Sequence, residues 1–362
     1  MDFTVRRDAI LEALGGVKSA TDTKITIPIL GNVLLEAEGE AVRLTATDLE
    51  MTLESTCAAK VRTPGSGTAP ARKLFELLSL FPDEEARVRL LENQWHEITS
   101  GSKRYKLVGM AVDNFPKKAA QPPTIVRIPY GKLEELIERT GYAISKEESR
   151  YTLNGALLEL TPGQAKMVAT DGHRLAIAET AIEGTATARL LIPSRALNAL
   201  RGFKFSAGAE IEIGANENSL LFSCGERRLT ARLLTGQFPN YEAVIPKASN
   251  RMLTVESAVL SAALHRVAQM ADSRSRAIKL TLGGEAPEIS SASPEYGEAK
   301  ETIEAGYVGE PLAIGFNADC LLEFLAVAEG KIELRLGDES TAGLFQPIDQ
   351  PGFRYVVMPM RV

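Results

Sequence analysis

Thr170-Asp171-Gly172-His173-Arg174-Leu175-Ala176 places an acid, a glycine, a histidine and an arginine in one run. Taken alone, the run has the makings of an active-site loop. Its reading changes because it has an echo: Thr47-Asp48-Leu49-Glu50 lies 123 positions earlier. Phe115-Pro116 and Phe238-Pro239 keep the same offset, and so do Pro70-Ala71-Arg72 and Pro193-Ser194-Arg195. Three matched pairs in one register identify an internal repeat, which has to be settled before any motif is read as chemistry. The offset carries Pro193 to Phe316, in Gly315-Phe316-Asn317-Ala318, just ahead of the apolar run Leu321, Leu322, Leu325. It carries Phe238 to Arg361, beside the last residue, Val362. A third unit is therefore expected to fill the rest of the chain, with no room for a separate catalytic domain. The expected domains are 1–118, 119–246 and 247–362. The polar, proline-bearing stretches Lys117–Thr124 and Pro246–Arg251 join them, and such stretches suit exposed junctions.

The units read alike. Each opens on a short strand (Phe3 and Val5, Ile125–Ile128, Met252–Val255) and continues into a helix with one apolar face. In unit one that face is Ile10, Leu11, Leu14 and Val17, in unit two Leu133, Leu136, Ile137 and Thr140, and in unit three Val259, Leu260, Ala263, Leu264 and Val267. Such recurrence at three and four residues is the mark of an amphipathic helix. Alternating runs such as Val42, Leu44, Ala46 and Arg227–Leu234 read as half-buried strands. Leu49, Met51 and Leu53 are expected to start another, and Tyr355–Val362 to be the last. A second helix follows in each unit: Pro70–Phe81, Arg195–Leu200 and Ala318–Ala328. The expected fold class is α+β: three tandem repeats, each with two helices packed on antiparallel sheets.

Composition narrows the function. The chain of 362 residues carries 41 basic and 47 acidic side chains, a net charge of −6. It has no global basic footprint for nucleic acid, so any contact with DNA must come from local clusters of Lys and Arg. An aromatic share of 6% argues against a platform for stacking bases. Cys57, Cys224 and Cys320 are far apart and make neither a zinc spacing nor a disulfide framework, which fits a reducing cytoplasm. No apolar run approaches membrane-spanning length, and the N-terminus lacks the apolar core of a signal peptide.

With the repeat in place, the segments ATDGHRLA, Phe238-Pro239-Asn240-Tyr241 and the terminal YVVMPMRV resemble one family. PILGNVLLE, RYTLNGALLE and IGFNADCLL point the same way. The family is the bacterial DNA polymerase III beta subunit, the sliding clamps, and the resemblance spans the whole chain. It implies a DNA-clamp fold and a head-to-tail homodimer, a ring of six units with helices lining the hole. It implies a processivity factor in the cytoplasm that encircles duplex DNA and tethers the replicative polymerase and clamp-loader subunits through short linear peptides. No catalysis, cofactor or metal is implied, and no membrane.

The resemblance also assigns residues. The peptide-binding cleft would use Leu153, Thr170, Gly172, His173, Arg174, Leu175, Pro239 and Val244, with Asn317, Val356, Met358, Pro359, Met360 and Arg361 on the far side. A flexible methionine pair beside prolines suits an adaptable apolar pocket. Ala243 and Cys320 depart from the larger or polar groups common in the family, so the rim differs in shape. Candidates for DNA contact are Lys24, Arg72, Lys73, Lys132, Arg150, Tyr151 and Arg195. Phosphate contacts of that kind carry no base information and permit sliding. Candidates for the dimer interface are Tyr105, Leu107 and Met270.

The rival reading is a hydrolase-type enzyme that uses the Asp171–Arg174 loop. Against it, His96, His173 and His265 are the only histidines and each sits in a different unit. No Gly-x-Ser-x-Gly elbow or phosphate-binding Gly-Lys-Ser/Thr loop is present. A tight turn whose Asp bonds local backbone is the structural alternative.

Overall fold

The structure, a computed structural model, describes residues 1–21, 27–82, 84–118, 120–247 and 249–361. Six α-helices lie among them: α1 (Arg7–Val17), α2 (Ala71–Ser79), α3 (Tyr130–Gly141), α4 (Ser194–Gly202), α5 (Ser257–Val267) and α6 (Ala318–Leu325). Arg7 and Tyr130 are 123 residues apart, as are Ala71 and Ser194, so the helices keep the repeat. The apolar face expected for α3 is buried: Leu133 and Thr140 are fully covered, Leu136 and Ile137 nearly so.

Two compact units result, and each takes half of the middle repeat. One comprises Met1–Gly131 with Arg195–Leu233, the other Lys132–Ser194 with Leu234–Val362. The first holds a twelve-stranded antiparallel sheet, the second a nine-stranded and a four-stranded one. The halving has a direct cause. In the first unit, strand Met51–Thr63 pairs with strand Arg227–Arg232, with Leu53 opposite Leu229 and Met51 opposite Ala231. In the second, strand Arg174–Ala181 pairs with strand Phe353–Val357, with Leu175 opposite Val356 and Ala176 opposite Tyr355. Each seam joins strands from different repeats, so the sheet is continuous where the sequence repeat changes.

The seams follow the offset. Met51 and Arg174, which open the first strand of each seam, are 123 apart, and another 123 leads to Gly297, which opens strand Gly297–Thr302. Among the described residues that strand pairs on one side and ends the four-stranded sheet. Strand Lys103–Leu107, the first-repeat counterpart of Arg227–Arg232, likewise ends the twelve-stranded sheet.

Aromatic packing locks the second seam. Tyr355 is fully buried, stacks on Phe324 of α6 at 4.9 Å and donates its hydroxyl to the Cys320 carbonyl at 2.8 Å. Phe345 and Tyr142 complete the cluster at 6.2 and 5.6 Å from the same ring. Contacts of this type add roughly 0.5–1.5 kcal/mol each beyond area burial.

Two expected strands are corrected. Leu49 does not start one: it sits in a turn at φ +77°, and the strand opens at Met51. The last strand is Phe353–Val357, shorter than Tyr355–Val362. Pro359 has no N–H to extend the ladder, and Val362 lies outside the described residues.

His96 is fully buried under the edge strand, opposite Leu107. Neither ring nitrogen finds a hydrogen-bond partner among the described residues. Burial first, and the Met1 amino group second, push its pKa down to about 4. The unfolded chain therefore takes up this proton near pH 6.5 while the native chain refuses it until about pH 4. Stability is untouched by His96 above that window and falls as pH drops through it, by on the order of 3 kcal/mol in all. Urea unfolding of His96→Gln should show a shallower loss of stability between pH 6.5 and 4.5 than the wild type. Parallel profiles would contradict the assignment.

Candidate functional site

The site begins with a turn. Thr170 Oγ1 donates to the Arg174 carbonyl at 2.6 Å and accepts from Gly172 N at 3.1 Å. Asp171 Oδ1 accepts from His173 N and Arg174 N at 2.9 and 3.1 Å. Side chains that bond backbone two and three residues on are what Thr and Asp supply in tight corners. Gly172 sits at φ +89°, where a side chain is strained.

The first repeat has the same corner, bond for bond. Thr47 Oγ1 donates to the Met51 carbonyl and accepts from Leu49 N at 2.9 and 3.2 Å. Asp48 Oδ1 accepts from Glu50 N and Met51 N at 3.0 and 2.7 Å. The Thr-Asp pair is thus a structural corner of the fold. What sets the second copy apart is Gly172 for Leu49, His173 for Glu50 and Arg174 for Met51.

Arg174 is 8% exposed, and a buried guanidinium needs every donor answered. It pairs through Nε with Asp171 at 2.9 Å, donates Nη2 to the Tyr142 carbonyl at 2.7 Å, pairs through Nη1 with Glu323 and stacks over the Tyr142 ring. Burial opposes its charge, yet the Tyr355 hydroxyl and the Glu323 carboxylate hold its pKa above the ordinary value. The Asp171 carboxylate is thereby occupied by the corner and by Arg174, which leaves it poorly placed to act as a general base.

Beside this corner lies a concavity of about 140 Å³. Its lining includes Leu153, Thr170, Gly172, His173, Arg174, Leu175, Pro239, Val244, Val356 and Met358. Its floor is the core: Leu175, Val356 and Tyr241 belong to one buried apolar cluster with Leu157, Val168, Ile177 and Phe238. Val244 and Met358 stand half-exposed at the mouth. Met358 is tied down by its N–H to the His173 carbonyl at 2.9 Å.

Four residues assigned to the cleft lie elsewhere. Asn317 caps α6, accepting from Cys320 N at 3.0 Å, and donates to the Ser275 carbonyl. Pro359, Met360 and Arg361 line a second concavity of about 750 Å³ with Lys279, Gly315, Glu339 and Ser340. Met360 is held there by its N–H to the Gly315 carbonyl at 2.8 Å. Two lining residues were missed from the sequence, Asn240 and Tyr241. The signal was present in the Phe-Pro-x-Tyr segment. Tyr241 donates its hydroxyl to Glu159 at 2.6 Å, and the pair 123 residues earlier is Lys118 with Glu36, at 2.8 Å.

The basic candidates are scattered over both units and mostly paired. Lys24 lies outside the described residues. Arg72 and Lys73, in the first turn of α2, both reach Glu76, at 2.9 and 2.8 Å. Arg195, in the first turn of α4, pairs with Asp48 at 2.6 Å. Lys132 donates to the Ala181 carbonyl at 2.6 Å. Arg150 pairs with Glu147 at 2.8 Å, and the neighbouring Tyr151 is half-exposed. Exposed pairs are worth about 0–1 kcal/mol, so Arg72, Lys73 and Arg150 are open to exchange partners, whereas the Asp48 that holds Arg195 is buried. Of the interface candidates, Tyr105 and Leu107 lie on the edge strand, Tyr105 exposed with its ring against Phe81 at 5.5 Å. Met270 closes the short turn after α5 and is partly buried. Among the described residues no cluster of His, Cys, Asp or Glu could hold a metal, and no helix is long and apolar enough to cross a membrane.

Comparison with known proteins bears on the whole chain. Family profiles of the DNA polymerase III beta subunit match in order: its N-terminal domain at residues 1–119, its central domain at 127–240 and its C-terminal domain at 242–361. A beta sliding clamp from Caulobacter vibrioides is 36% identical, with 100% of both chains covered. A crystal structure of the DNA polymerase sliding clamp from Caulobacter crescentus superposes with a TM-score of 0.93 at 34% identity, again over 100% of both chains. A Pseudomonas aeruginosa sliding clamp, DNA polymerase III subunit beta, solved bound to griselimycin, superposes with a TM-score of 0.95 at 32% identity and the same full coverage. With its corner, cleft and repeated seams, the chain belongs to the DNA polymerase III beta subunit family, the beta sliding clamps.

Proposed function

We propose that this chain works as a DNA sliding clamp: a non-catalytic, cytoplasmic processivity factor that closes with a second copy around duplex DNA. Its domains are 1–118, 119–246 and 247–362, and it holds replicative polymerase and clamp-loader subunits by short peptides in the cleft. The observation that carries this reading is the set of strand edges. Two equivalent seams are already made within the chain, and the two strands that would make the third, Lys103–Leu107 and Gly297–Thr302, each end a sheet among the described residues. Exposed edges invite strand addition. A head-to-tail contact that closes gives a ring rather than a filament. One copy's Lys103–Leu107 joined to another's Gly297–Thr302 would bury Tyr105 and Leu107, with Met270 as a third contact. It would also set Lys103, Arg104 and Lys106 near Glu298 and Glu301. Arg72, Lys73, Lys132, Arg150, Tyr151 and Arg195, with Lys24, would then supply sequence-independent contacts to DNA. The occupied Asp171 carboxylate and the family itself favour this over the enzyme reading.

Light scattering should give a mass near twice 39.1 kDa. Raising the salt should weaken the association, because exposed charge pairs are screened. Leu107→Asp should leave a folded monomer. Dimer placed on nicked circular DNA should stay bound and leave on linearisation. Equal retention on circular and linear DNA would overturn the clamp reading.

The cleft has its own test. Griselimycin, seated on the Pseudomonas aeruginosa relative, should bind here as well. Deleting residues 358–362 spares the last strand and the buried Tyr355, and should weaken that binding tenfold or more, about 1.4 kcal/mol. Unchanged affinity in the truncated chain would remove Met358 from the site.

A further inference from the structure

The strand expected to meet a second copy, Lys103–Leu107, is zipped to strand His96–Ser100, with Leu107 opposite His96. Just beyond Leu107 the chain is tied to Thr68, whose Oγ1 donates to the Met110 carbonyl at 2.8 Å and accepts from Met110 N at 3.2 Å. The His96 imidazole lies inside this fastening. A Cβ on Gly67 would stand 2.8 Å from its Nε2, and one on Gly109 would stand 2.9 Å from its Cε1. The imidazole is therefore packed against backbone next to both partners of the tie. It is fully buried, and neither nitrogen has a hydrogen-bond partner among the described residues. Neutral, it fills the space as an apolar group would, apart from its unmet nitrogens. Protonated, it would be a buried cation with two unanswered donors.

The surroundings do not answer that charge. By register, Leu90, Ile98, Tyr105 and Leu107 share the face of His96, while Arg87, Arg89, Glu97, Arg104 and Lys106 lie on the other. There the Glu97 carboxylate is taken by Arg89 and Arg104. Lys103 shares the face of His96 but sits at the far end of the strand, opposite Ser100. Strand Gly65–Pro70 and residues 108–110 carry no charged side chain. The charge that bears on the imidazole is the Met1 ammonium, which opposes a proton as burial does.

Opening the strand reverses this. Water then reaches the imidazole, which takes a proton near its ordinary pH of 6.5. Opening is thus linked to proton uptake, so acid favours the open strand and the effect fades above pH 6.5. We infer that His96 is an acid-sensitive latch on the interface strand: neutral, it lets Lys103–Leu107 lie in register for a second copy, and protonated, it frees that strand and loosens the two-chain ring. This rests on the dimer reading above and adds a control on it.

The test uses the full chain at constant ionic strength. The dimer Kd is measured by sedimentation over a dilution series at pH 7.5 and at pH 5.5. An imidazole that titrates near pH 6.5 once wetted predicts a rise of about tenfold for each strand freed. His96→Leu, which has nothing to titrate there, should hold its Kd within about twofold across the same range. Hydrogen exchange of the wild type gives a reading that needs no variant. On going to pH 5.5, and after correction for intrinsic rates, the amides of Lys103–Leu107 should lose protection while those of Arg227–Arg232 keep theirs. A wild-type Kd that is the same at both pH values, an equal rise in His96→Leu, or unchanged protection of Lys103–Leu107 overturns the inference. A chain that is monomeric at pH 7.5 overturns the dimer reading and the latch with it.

Discussion

An open strand edge is the constraint on which this structure turns. A row of unpaired N–H and C=O groups must be paired, covered or charged, and a chain of three similar units produces one such edge at each unit's border. Here the borders are closed by strands reaching from one repeat into the next: Arg227–Arg232 onto Met51–Thr63, and Phe353–Val357 onto Arg174–Ala181. Cross-strand pairs contribute roughly 0.2–1 kcal/mol each, and these also carry the apolar contacts Leu53 to Leu229 and Leu175 to Val356. The unit of contact is therefore not the unit of repetition. The middle repeat is shared out, and two of its strands, Arg174–Ala181 and Arg227–Arg232, each join a sheet with a neighbouring repeat.

The corner shows how a repeated structural device becomes a site. Both copies of the Thr-Asp turn satisfy the same backbone groups at nearly the same distances. The first copy places Leu49 at φ +77°, a strain on the order of 1–3 kcal/mol for a residue with a Cβ. The second relieves it with glycine and gives the space to Arg150. It then replaces Met51 by Arg174, whose burial is answered by Asp171, Glu323, the Tyr142 carbonyl and the Tyr142 ring. Removing one partner of such a network leaves a buried charge exposed to the full cost of desolvation. The wall of the cleft is thus pinned from within by the buried Arg174 and bonded from outside by the partly exposed Arg150.

Much of this was legible in the sequence because it depends on spacing. The offset of 123 relates the four helices of the first two repeats and the first strand of each seam, and it turns an apparent active-site loop into a corner. What stayed hidden depends on contacts between residues far apart in the chain. Glu323 stands 149 positions from Arg174, and no pattern announces their pairing. Asn317 looks like a rim residue by its place in the segment, but an Asn just ahead of a helix is drawn to the helix's free N–H groups, and there it sits. Leu49 fits the alternation of a strand, and only the hydrogen bonds of Thr47 and Asp48 reveal a turn. The terminal run reads as one strand because its apolar content is continuous. Pro359 ends the ladder after Val357 and sends Met358 and Met360 to different concavities.

The cleft and the seam are the same residues seen from two sides. Leu175 and Val356 face each other across the seam, form part of the buried cluster and line the concavity. Met358, the next exposed residue of that last segment, is bonded to His173 in the corner. A ligand in the cleft therefore touches the junction of the second and third repeats, including the residues that set the second corner apart. Its apolar floor costs the fold little, since that floor is already covered from behind by Phe238, Val168 and Ile177. The same logic explains why the first seam offers no equivalent assignment. There the position of Gly172 is filled by a leucine, and that of Tyr241 by Lys118, whose ammonium is drawn to Glu36 and Glu54 at 2.8 Å. At that point the first seam carries a charged cluster, and the second an aromatic ring beside a glycine corner that faces the concavity.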